Sequence, residues 1–280
     1  MKYSNWQLKR RYEEIFRKSI ESIFKPYFEK LNDTADPMAI LNFLRKMAND
    51  ERFSEYCNAV SYKMVTMLEH QNLKTWRKAA SKGSRGHDIY NAIKKELSPN
   101  NASGIYSAIA EQAMNNASLI KSVPYDMAAD FVGYIQNETL KGLRSLDIAH
   151  DLHGRFKEYS KSRINLIART ETSKTQSVLT QARAEKLGLN WYIWRTSKDS
   201  RVRKSHDVMD GVLVKWSDPP NPEKLAGAAS KSGNYHAGMI YNCRCYSEPV
   251  IDIDFVNFPH KVYSNGSIKS MTRNQFEHII

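Results

Sequence analysis

The feature that most constrains the fold is the helical periodicity of the first half of the chain. In residues 5 to 32, apolar and aromatic residues recur every three or four positions with Lys and Arg between them, which is the period of an amphipathic helix. Asp36 before Pro37 predicts an N-cap and a first helical position. Further helices are predicted over 39 to 47, 52 to 80, 88 to 97, 103 to 121 and 124 to 149. Residues 1 to 150 are therefore predicted to be helical.

The pattern changes after a further predicted helix over residues 151 to 187, which ends at Gly188, a favourable residue for a helix C-terminus. Three segments then favour strands because they are rich in aromatic and β-branched residues: LNWYIWRT (189 to 196), VLVKW (212 to 216) and CRCYSEPVID (243 to 252). The stretch from 217 to 238 is rich in Pro, Gly, Ser and Ala and predicts a long loop. The predicted class is α+β: a long helical N-terminal region (1 to 150), a small α+β module (151 to 255) with a few short strands and a long loop, and a C-terminal tail (256 to 280).

The length and the cysteine content bound the class of protein. A chain of 280 residues can bury a core without disulfides. Its three cysteines are an odd number, no signal sequence is visible at its start, and no apolar run reaches the ~20 residues of a membrane helix. We expect a soluble protein made in a reducing cytoplasm, with no membrane partner.

Positive charge is concentrated in one segment. The formal net charge is +12, and residues 151 to 205 hold 13 Lys and Arg against 5 Asp and Glu, whereas residues 206 to 280 hold 7 against 8. Such asymmetry indicates a polyanionic partner, most simply nucleic acid, or an acidic protein. A helix face that is basic only for solubility is the alternative.

Two cysteines one residue apart, Cys243 and Cys245 in NCRCY, are candidate metal ligands. On a strand they would project from the same face, and zinc accepts thiolates together with imidazoles such as those of His206 and His236. The spacing is not that of a zinc knuckle, so two reduced thiols facing a small core remain an alternative to one structural zinc. A redox pair is disfavoured because the C-x-x-C arrangement is absent.

The segment KDSRVRKSHDVMDG (198 to 211) is too highly charged to be core and is predicted to be a loop that holds binding residues. Arg201, Arg203 and Lys204 lie in it, and Arg244 lies between the two cysteines. These four cations are the candidate DNA-binding residues, because Lys and Arg neutralise phosphates without reading sequence.

The order of these motifs resembles the phage head morphogenesis family, the minor capsid proteins similar to protein F of phage Mu. The resemblance is carried by IARTETSKTQSVLTQAR (167 to 183), WYIWRTSKDSRVRKSH (191 to 206), the Asp-Gly pair at 210 and 211, and NCRC (242 to 245). It covers about residues 150 to 250. One compact site that joins the His after RVRKS to the cysteines is implied by the resemblance.

The resemblance implies a structural protein of a tailed phage or prophage and not an enzyme. The expected partners are the portal protein, an inner capsid or scaffolding protein, and double-stranded DNA bound without sequence preference. The expected location is the virion, inside the head near the portal, after a stay in the host cytoplasm during assembly. Residues 1 to 150 are then the region that docks on the portal or capsid, and DNA contact would serve head assembly, packaging or ejection.

Two alternatives belong to other classes of protein. His206, Asp207 and Asp210 are a candidate centre for a metal-dependent nuclease or toxin. A DNA-binding protein without a role in the capsid is the second alternative, and strong salt-sensitive binding without affinity for a portal would mark it.

Overall fold

The computed structural model describes residues 6–31, 34–81, 86–96 and 103–280. Within these ranges, six helices precede the first strand, and four further strands with short helices follow it. The predicted α+β class is confirmed. The helices of the first part are α1 (Arg10–Leu31), α2 (Pro37–Ala48), α3 (Glu51–Ala80), α4 (Gly86–Glu96), α5 (Ser103–Leu140) and α6 (Ser145–Lys186).

Local signals in the sequence explain the start of α2 and the end of α6. The Asp36 carboxylate accepts hydrogen bonds from the backbone N–H groups of Met38 and Ala39, at 3.1 Å each, so the predicted N-cap of α2 is confirmed. Gly188 follows α6 with a φ of 67°, and the Leu189 N–H bonds back to the Ala184 carbonyl at 2.8 Å. The helix therefore ends at the predicted glycine in a left-handed turn.

The predicted break before residue 124 is wrong, because α5 runs continuously through Pro124. A proline inside a helix removes one backbone hydrogen bond. Four fully buried or nearly buried residues nevertheless continue one face of α5 across it: Ile120, Val123, Met127 and Phe131. Burial of this apolar face outweighs the local cost of the proline. The predicted helix over 124 to 149 is thus two helices, since a turn separates α5 from α6.

The chain divides into two compact units, each assembled from separate stretches. One contains 10–65 and 110–171, and the other contains 1–9, 66–109 and 172–280; α3, α5 and α6 supply residues to both. In the first unit, aromatic rings pack edge to face, as in the pairs Phe24 with Phe53 and Phe28 with Phe156. The predicted domain scheme with its boundary at residue 150, which also assigns roles to the parts, stays a prediction.

The second unit contains a five-stranded sheet in the order β3-β1-β2-β4-β5. Its strands are β1 (Trp191–Arg195), β2 (Leu213–Lys215), β3 (Tyr246–Pro249), β4 (His260–Ser264) and β5 (Ser267–Met271). The three predicted strands correspond to β1, β2 and β3. All pairs are antiparallel except β2 with β4.

The segment after residue 255 completes this sheet, although the sequence predicts only a tail there. It forms β4, β5 and helix α9 (Arg273–Glu277), which starts with a capping box between Thr272 and Gln275. Val262 and Phe276 from this segment cover one face of the sheet together with Trp191, Ile193 and Leu213. The opposite face carries the larger cluster that includes Tyr192, Trp194 and Val214. Strand β1 is therefore covered on both faces.

The polar face of α6 is buried in the second unit rather than presented to solvent. Arg183 is 1% exposed, and its guanidinium donates hydrogen bonds to Asn72 Oδ1 at 2.6 Å and Glu69 Oε1 at 2.7 Å. The Asn72 amide in turn donates to Thr180 Oγ1 at 2.8 Å. This network joins α6 to α3 and satisfies buried polar groups that would otherwise be costly.

Within the described residues, no helix is long and apolar enough to cross a membrane.

Removal of the Arg183 guanidinium is expected to destabilise the protein strongly. The Arg183→Ala variant leaves Glu69 and Asn72 without their buried partner and should lower the free energy of unfolding by about 3 kcal/mol. The matched control is Arg163→Ala on the same helix, whose ion pair with Asp126 is about one-third exposed on each side and should contribute less than about 1 kcal/mol. Urea unfolding followed by circular dichroism measures both. Equal losses in the two variants would contradict the role assigned to the buried network.

Candidate functional site

The site is built on two segments, the connection between β1 and β2 and the residues immediately before β3. The connection from β1 to β2 contains a short helix, α7 (Lys204–Met209), which carries His206. Cys243 and Cys245 lie immediately before β3, and Asn242 precedes them with a φ of 56°. Asn tolerates this left-handed conformation better than most residues, and it turns the chain toward β3. Strand β3 is shorter than predicted, so the cysteines do not themselves belong to a strand.

His206, Cys243 and Cys245 converge in a thiol–imidazole cluster. The distance from His206 Nδ1 is 3.5 Å to Cys243 Sγ and 3.3 Å to Cys245 Sγ. All three residues are buried, and within the described ranges they are the group of three His, Cys, Asp or Glu side chains whose geometry could hold a metal. The predicted compact site that joins this His to the cysteines is therefore present.

The two thiols are not equivalent. The backbone N–H of Cys245 donates to Cys243 Sγ at 3.4 Å. The side chain of Cys245 donates to the same sulfur, and this bond, together with the neighbouring His206, lowers the pKa of Cys243 well below its usual range despite burial. The same bond and burial raise the pKa of Cys245. Cys243 is the more readily ionised sulfur of the pair.

His236 does not join the thiol–imidazole cluster. Its Nδ1 lies 3.0 Å from the Tyr192 hydroxyl, and its ring also forms a hydrogen bond with the backbone of Trp216. Burial lowers the pKa of His236 to about 4, so the imidazole is neutral at pH 7. The structure brings together three of the four predicted metal ligands, and the fourth is engaged with an aromatic pair, Tyr192 and Trp216, elsewhere in the core.

The long loop (217–238) supplies the residues that support His206. It contains helix α8 (Pro222–Leu225), which the sequence analysis did not predict, although Asn221 caps it and Pro222 is its first residue. The Tyr235 hydroxyl donates to Glu223 Oε1 at 2.6 Å and lies 3.0 Å from His206 Nε2. Burial is the main cause that raises the pKa of Tyr235, so this hydroxyl keeps its proton. The sequence offers no spacing signal that links a loop tyrosine to His206.

A surface pocket with about 280 Å³ of empty space, part of it open to solvent, lies beside the cluster. Its lining contains three of the predicted metal ligands together with three of the candidate DNA-binding cations. Three arginines, here called the arginine rim, line it with the cluster: Arg201, Arg203 and Arg244. Lys204 is exposed at the start of α7 and is not in the lining.

Two members of the arginine rim are held by contacts within the protein. Arg201 Nη2 pairs with Asp199 Oδ2 at 2.8 Å, with half of the Arg201 side chain exposed. Arg203 Nη2 donates to the Tyr241 carbonyl at 2.9 Å, and its guanidinium lies 5.1 Å from the centre of the Tyr241 ring. These contacts hold the two guanidinium groups beside the pocket.

The candidate nuclease centre is not assembled in the described part of the chain. No group that could hold one metal is formed there by His206, Asp207 and Asp210. Asp207 is exposed. One oxygen of Asp210 accepts the backbone N–H of Thr196 at 2.8 Å, and its other oxygen lies 3.7 Å from Lys198 Nζ. Asp210 thus stabilises the connection between β1 and α7, and the candidate nuclease centre lacks convergent ligands.

The fold and the site define a class: an α+β module on a mixed five-stranded sheet, with a buried thiol–imidazole cluster under a basic pocket. Comparison with known families gives a match over residues 130–248 to the family described as phage Mu protein F like protein. The predicted resemblance to the phage head morphogenesis family is therefore confirmed for this segment.

Two curated relatives are similar to part of the chain. An uncharacterized protein of Haemophilus influenzae is 31% identical over 178 residues, which cover 62% of this chain and 35% of the relative. An uncharacterized protein of Methanocaldococcus jannaschii is 30% identical over 122 residues, which cover 44% of this chain and 17% of the relative. The chain therefore spans about a third or less of the length of these relatives. No solved structure matches the chain significantly.

Gly238 at the end of the long loop is the position where the site is most sensitive to an added methyl group. A Cβ there would lie 2.4 Å from Ser177 Oγ and 2.9 Å from the Cys245 carbonyl oxygen, at a φ of 83°. Gly227 has a similar φ of 73° but nothing within 4 Å of its Cβ position. Gly227→Ala therefore reports the backbone strain alone.

We expect Gly227→Ala to lower the free energy of unfolding by about 1–2 kcal/mol, because its backbone is left-handed. Gly238→Ala should lower it by about 2 kcal/mol or more beyond that loss. Thermal and urea unfolding of the two variants beside the natural chain provide the comparison. Similar stabilities would mean that the loop can move away from α6 and β3 at little cost.

Proposed function

We propose that this protein is a minor head protein that binds at the portal vertex inside a phage or prophage capsid and contacts DNA without sequence preference. The observation that carries the proposal is the family match over residues 130–248, which covers α6, β1, the cluster and the arginine rim. Head morphogenesis is the family's role, and the portal and DNA contacts are the finer part of the proposal.

Positive charge supports the DNA contact. The three rim arginines line one pocket, and Lys204, next to Arg203 in sequence, is exposed at the start of α7. Phosphate contacts of this kind give affinity through release of counterions and carry no sequence information. Arg183, although part of the basic segment, is buried and belongs to the scaffold.

The portal contact is proposed for the helical region. Its amphipathic helices bury their apolar faces, as α1 does with Tyr12, Phe16, Ile20, Ile23 and Phe24. Several large side chains nevertheless remain exposed in this region, among them Tyr56, Tyr62, Tyr106, Met114 and Tyr125. Exposed Tyr and Met are residue types that interfaces favour, which makes these side chains candidates for contact with a protein partner.

A low copy number of this chain is expected in mature particles. Quantitative mass spectrometry of DNA-filled heads should find a few copies of this chain per portal ring and far fewer than of the major capsid protein. Particles that lack the chain, while the producing cells contain it, would contradict a place in the virion and favour an assembly factor or an enzyme.

DNA binding should depend on the basic side of the module. The Arg201→Ala, Lys204→Ala double variant removes two phosphate contacts, so the slope of log K against log salt should become shallower by about 2 and the affinity near 0.1 M salt should fall about tenfold or more. Fluorescence anisotropy with duplexes of two unrelated sequences measures both quantities. Equal weakening on both sequences is expected.

The matched control removes the same charge at the far edge of the sheet. Lys261 on β4 and Lys269 on β5 are exposed, and replacing both by Ala should change the affinity by less than about twofold. Loss of binding in the control to the same extent would show that net charge and not the basic side governs the interaction.

A further inference from the structure

The three side chains of the thiol–imidazole cluster have the spacing of tetrahedral metal ligands. Zinc binds thiolate sulfur at about 2.3 Å and imidazole nitrogen at about 2.0–2.1 Å, so tetrahedral angles separate a sulfur from a nitrogen by about 3.6 Å. The observed distances from His206 Nδ1 are 3.5 Å to Cys243 Sγ and 3.3 Å to Cys245 Sγ. Both nitrogen–sulfur distances fit one shared ion, and the three ligand atoms all lie within 4.8 Å of one another.

The imidazole is oriented so that the nitrogen facing the sulfurs is the one able to bind a metal. Glu223 can only accept from the Tyr235 hydroxyl, at 2.6 Å. The hydroxyl has a single proton, so it must accept a hydrogen bond from His206 Nε2–H, at 3.0 Å. Nδ1 then carries a bare lone pair directed at Cys243 and Cys245.

Metal-binding histidines are commonly oriented by a series of hydrogen bonds, such as this one from imidazole through hydroxyl to carboxylate. Such ligands usually donate their second ring N–H to a protein acceptor, which fixes the tautomer and raises the basicity of the bound nitrogen. Glu223, Tyr235 and His206 form such a series, which leaves Nδ1 directed at the two sulfurs.

Burial and charge also favour zinc. His206 is 2% exposed, and the two cysteines are 2% and 4% exposed, so an isolated thiolate would be costly there. One divalent cation with two thiolates and a neutral imidazole has no net charge. The backbone N–H of Cys245, which donates to Cys243 Sγ at 3.4 Å, is a further group that stabilises a thiolate.

We propose that His206, Cys243 and Cys245 bind one zinc ion, and that its fourth coordination position faces the arginine-rimmed pocket. The three ligands all line that pocket, whereas His236, the fourth ligand predicted from the sequence, is engaged with Tyr192 and Trp216. A water molecule or a small anion from the pocket therefore completes the tetrahedron. The zinc ion joins α7 to the segment before β3 and, through Tyr235, to the long loop.

Metal analysis of the full chain, purified without chelators from a zinc-supplemented culture, should find about one zinc per chain. Cys243→Ser and Cys245→Ser should each lose most of it and melt at a lower temperature. The control is Cys57→Ser: Cys57 is equally buried but lies on α3 in the other unit, so its removal should leave the zinc content unchanged.

Tyr235→Phe tests the support of His206 without touching a ligand. We expect zinc affinity, measured by competition with a chromogenic chelator, to fall about 10- to 100-fold. Tyr263→Phe, which alters another buried tyrosine of the same unit, should leave the affinity within about twofold. The two tyrosine variants also test the zinc site if the serine variants fail to fold.

Cobalt substitution tests the open position. The cobalt form should show thiolate charge-transfer bands and tetrahedral d–d bands, and added azide should shift the d–d bands by replacing the fourth ligand. Bands that azide leaves unchanged would overturn the assignment of the fourth position to the pocket.

Two results would overturn the zinc site itself. Metal-free natural chain with three reactive thiols after denaturation would mean that the cluster holds only hydrogen-bonded thiols. Metal-free chain with one reactive thiol would mean that Cys243 and Cys245 form a disulfide. Zinc content is measured without DNA or portal protein. Either result therefore leaves the proposed head function untouched, since that function is tested by the particle and DNA-binding experiments.

Discussion

Burial of strand β1 on both faces is the constraint on which the second unit depends. Tyr192 and Trp194 point to the face covered by α3, α4 and the long loop, whereas Trp191 and Ile193 point to the face covered by the C-terminal segment. A strand buried in this way needs partners at both edges, which β2 and β3 provide. Trp194 also packs edge to face against His206, with ring centres 5.7 Å apart. The central strand therefore sets both the sheet and the position of the imidazole.

Polar side chains in this unit mostly stabilise the interior. The helix that carries the family motif buries Thr172, Thr175, Ser177, Thr180 and Arg183. Ser177 Oγ donates to the Ala237 carbonyl at 2.7 Å, so the motif holds the long loop as well as α3. The charge of the segment therefore overstates the charge available to a polyanion. Three of the candidate DNA-binding cations, Arg201, Arg203 and Arg244, line the pocket. Asp199 pairs with Arg201 there, and the Tyr241 carbonyl accepts a hydrogen bond from Arg203.

The sequence predicts elements whose signals are local. The Asp36-Pro37 cap, the end of α6 at Gly188 and the three aromatic or β-branched strands each follow from a few neighbouring residues. Pro124 leads to a wrong prediction of a helix break, because the apolar residues buried on both sides of it keep α5 continuous. The segment after residue 255 carries no strong strand pattern. Its strands form because β4 pairs with the edge of β2 that β1 leaves unpaired.

Prediction of the site was limited in the same way. His206 and the cysteines were predictable from residue type and from the family resemblance. Their approach to within 3.5 Å depends on the sheet order and was not predictable from spacing. Tyr235 and Glu223 gave no signal at all, since a hydroxyl and a carboxylate in a polar loop are ordinary. His236 was a reasonable candidate as an imidazole near the cysteines in sequence, yet packing against Trp216 places it elsewhere.

The parallel pairing of β2 with β4 has a consequence for biosynthesis. Between these neighbouring strands the chain travels to the far edge of the sheet to form β3 and then returns, so the contact joins residues distant in sequence. During translation, β1 and β2 leave the ribosome well before residues 260–276 exist to cover Trp191, Ile193 and Leu213. A nascent chain at that stage presents an aromatic apolar surface prone to association. The unit is then protected only when its last strands and helix have been added, which makes late translation the vulnerable period for this protein in the cell.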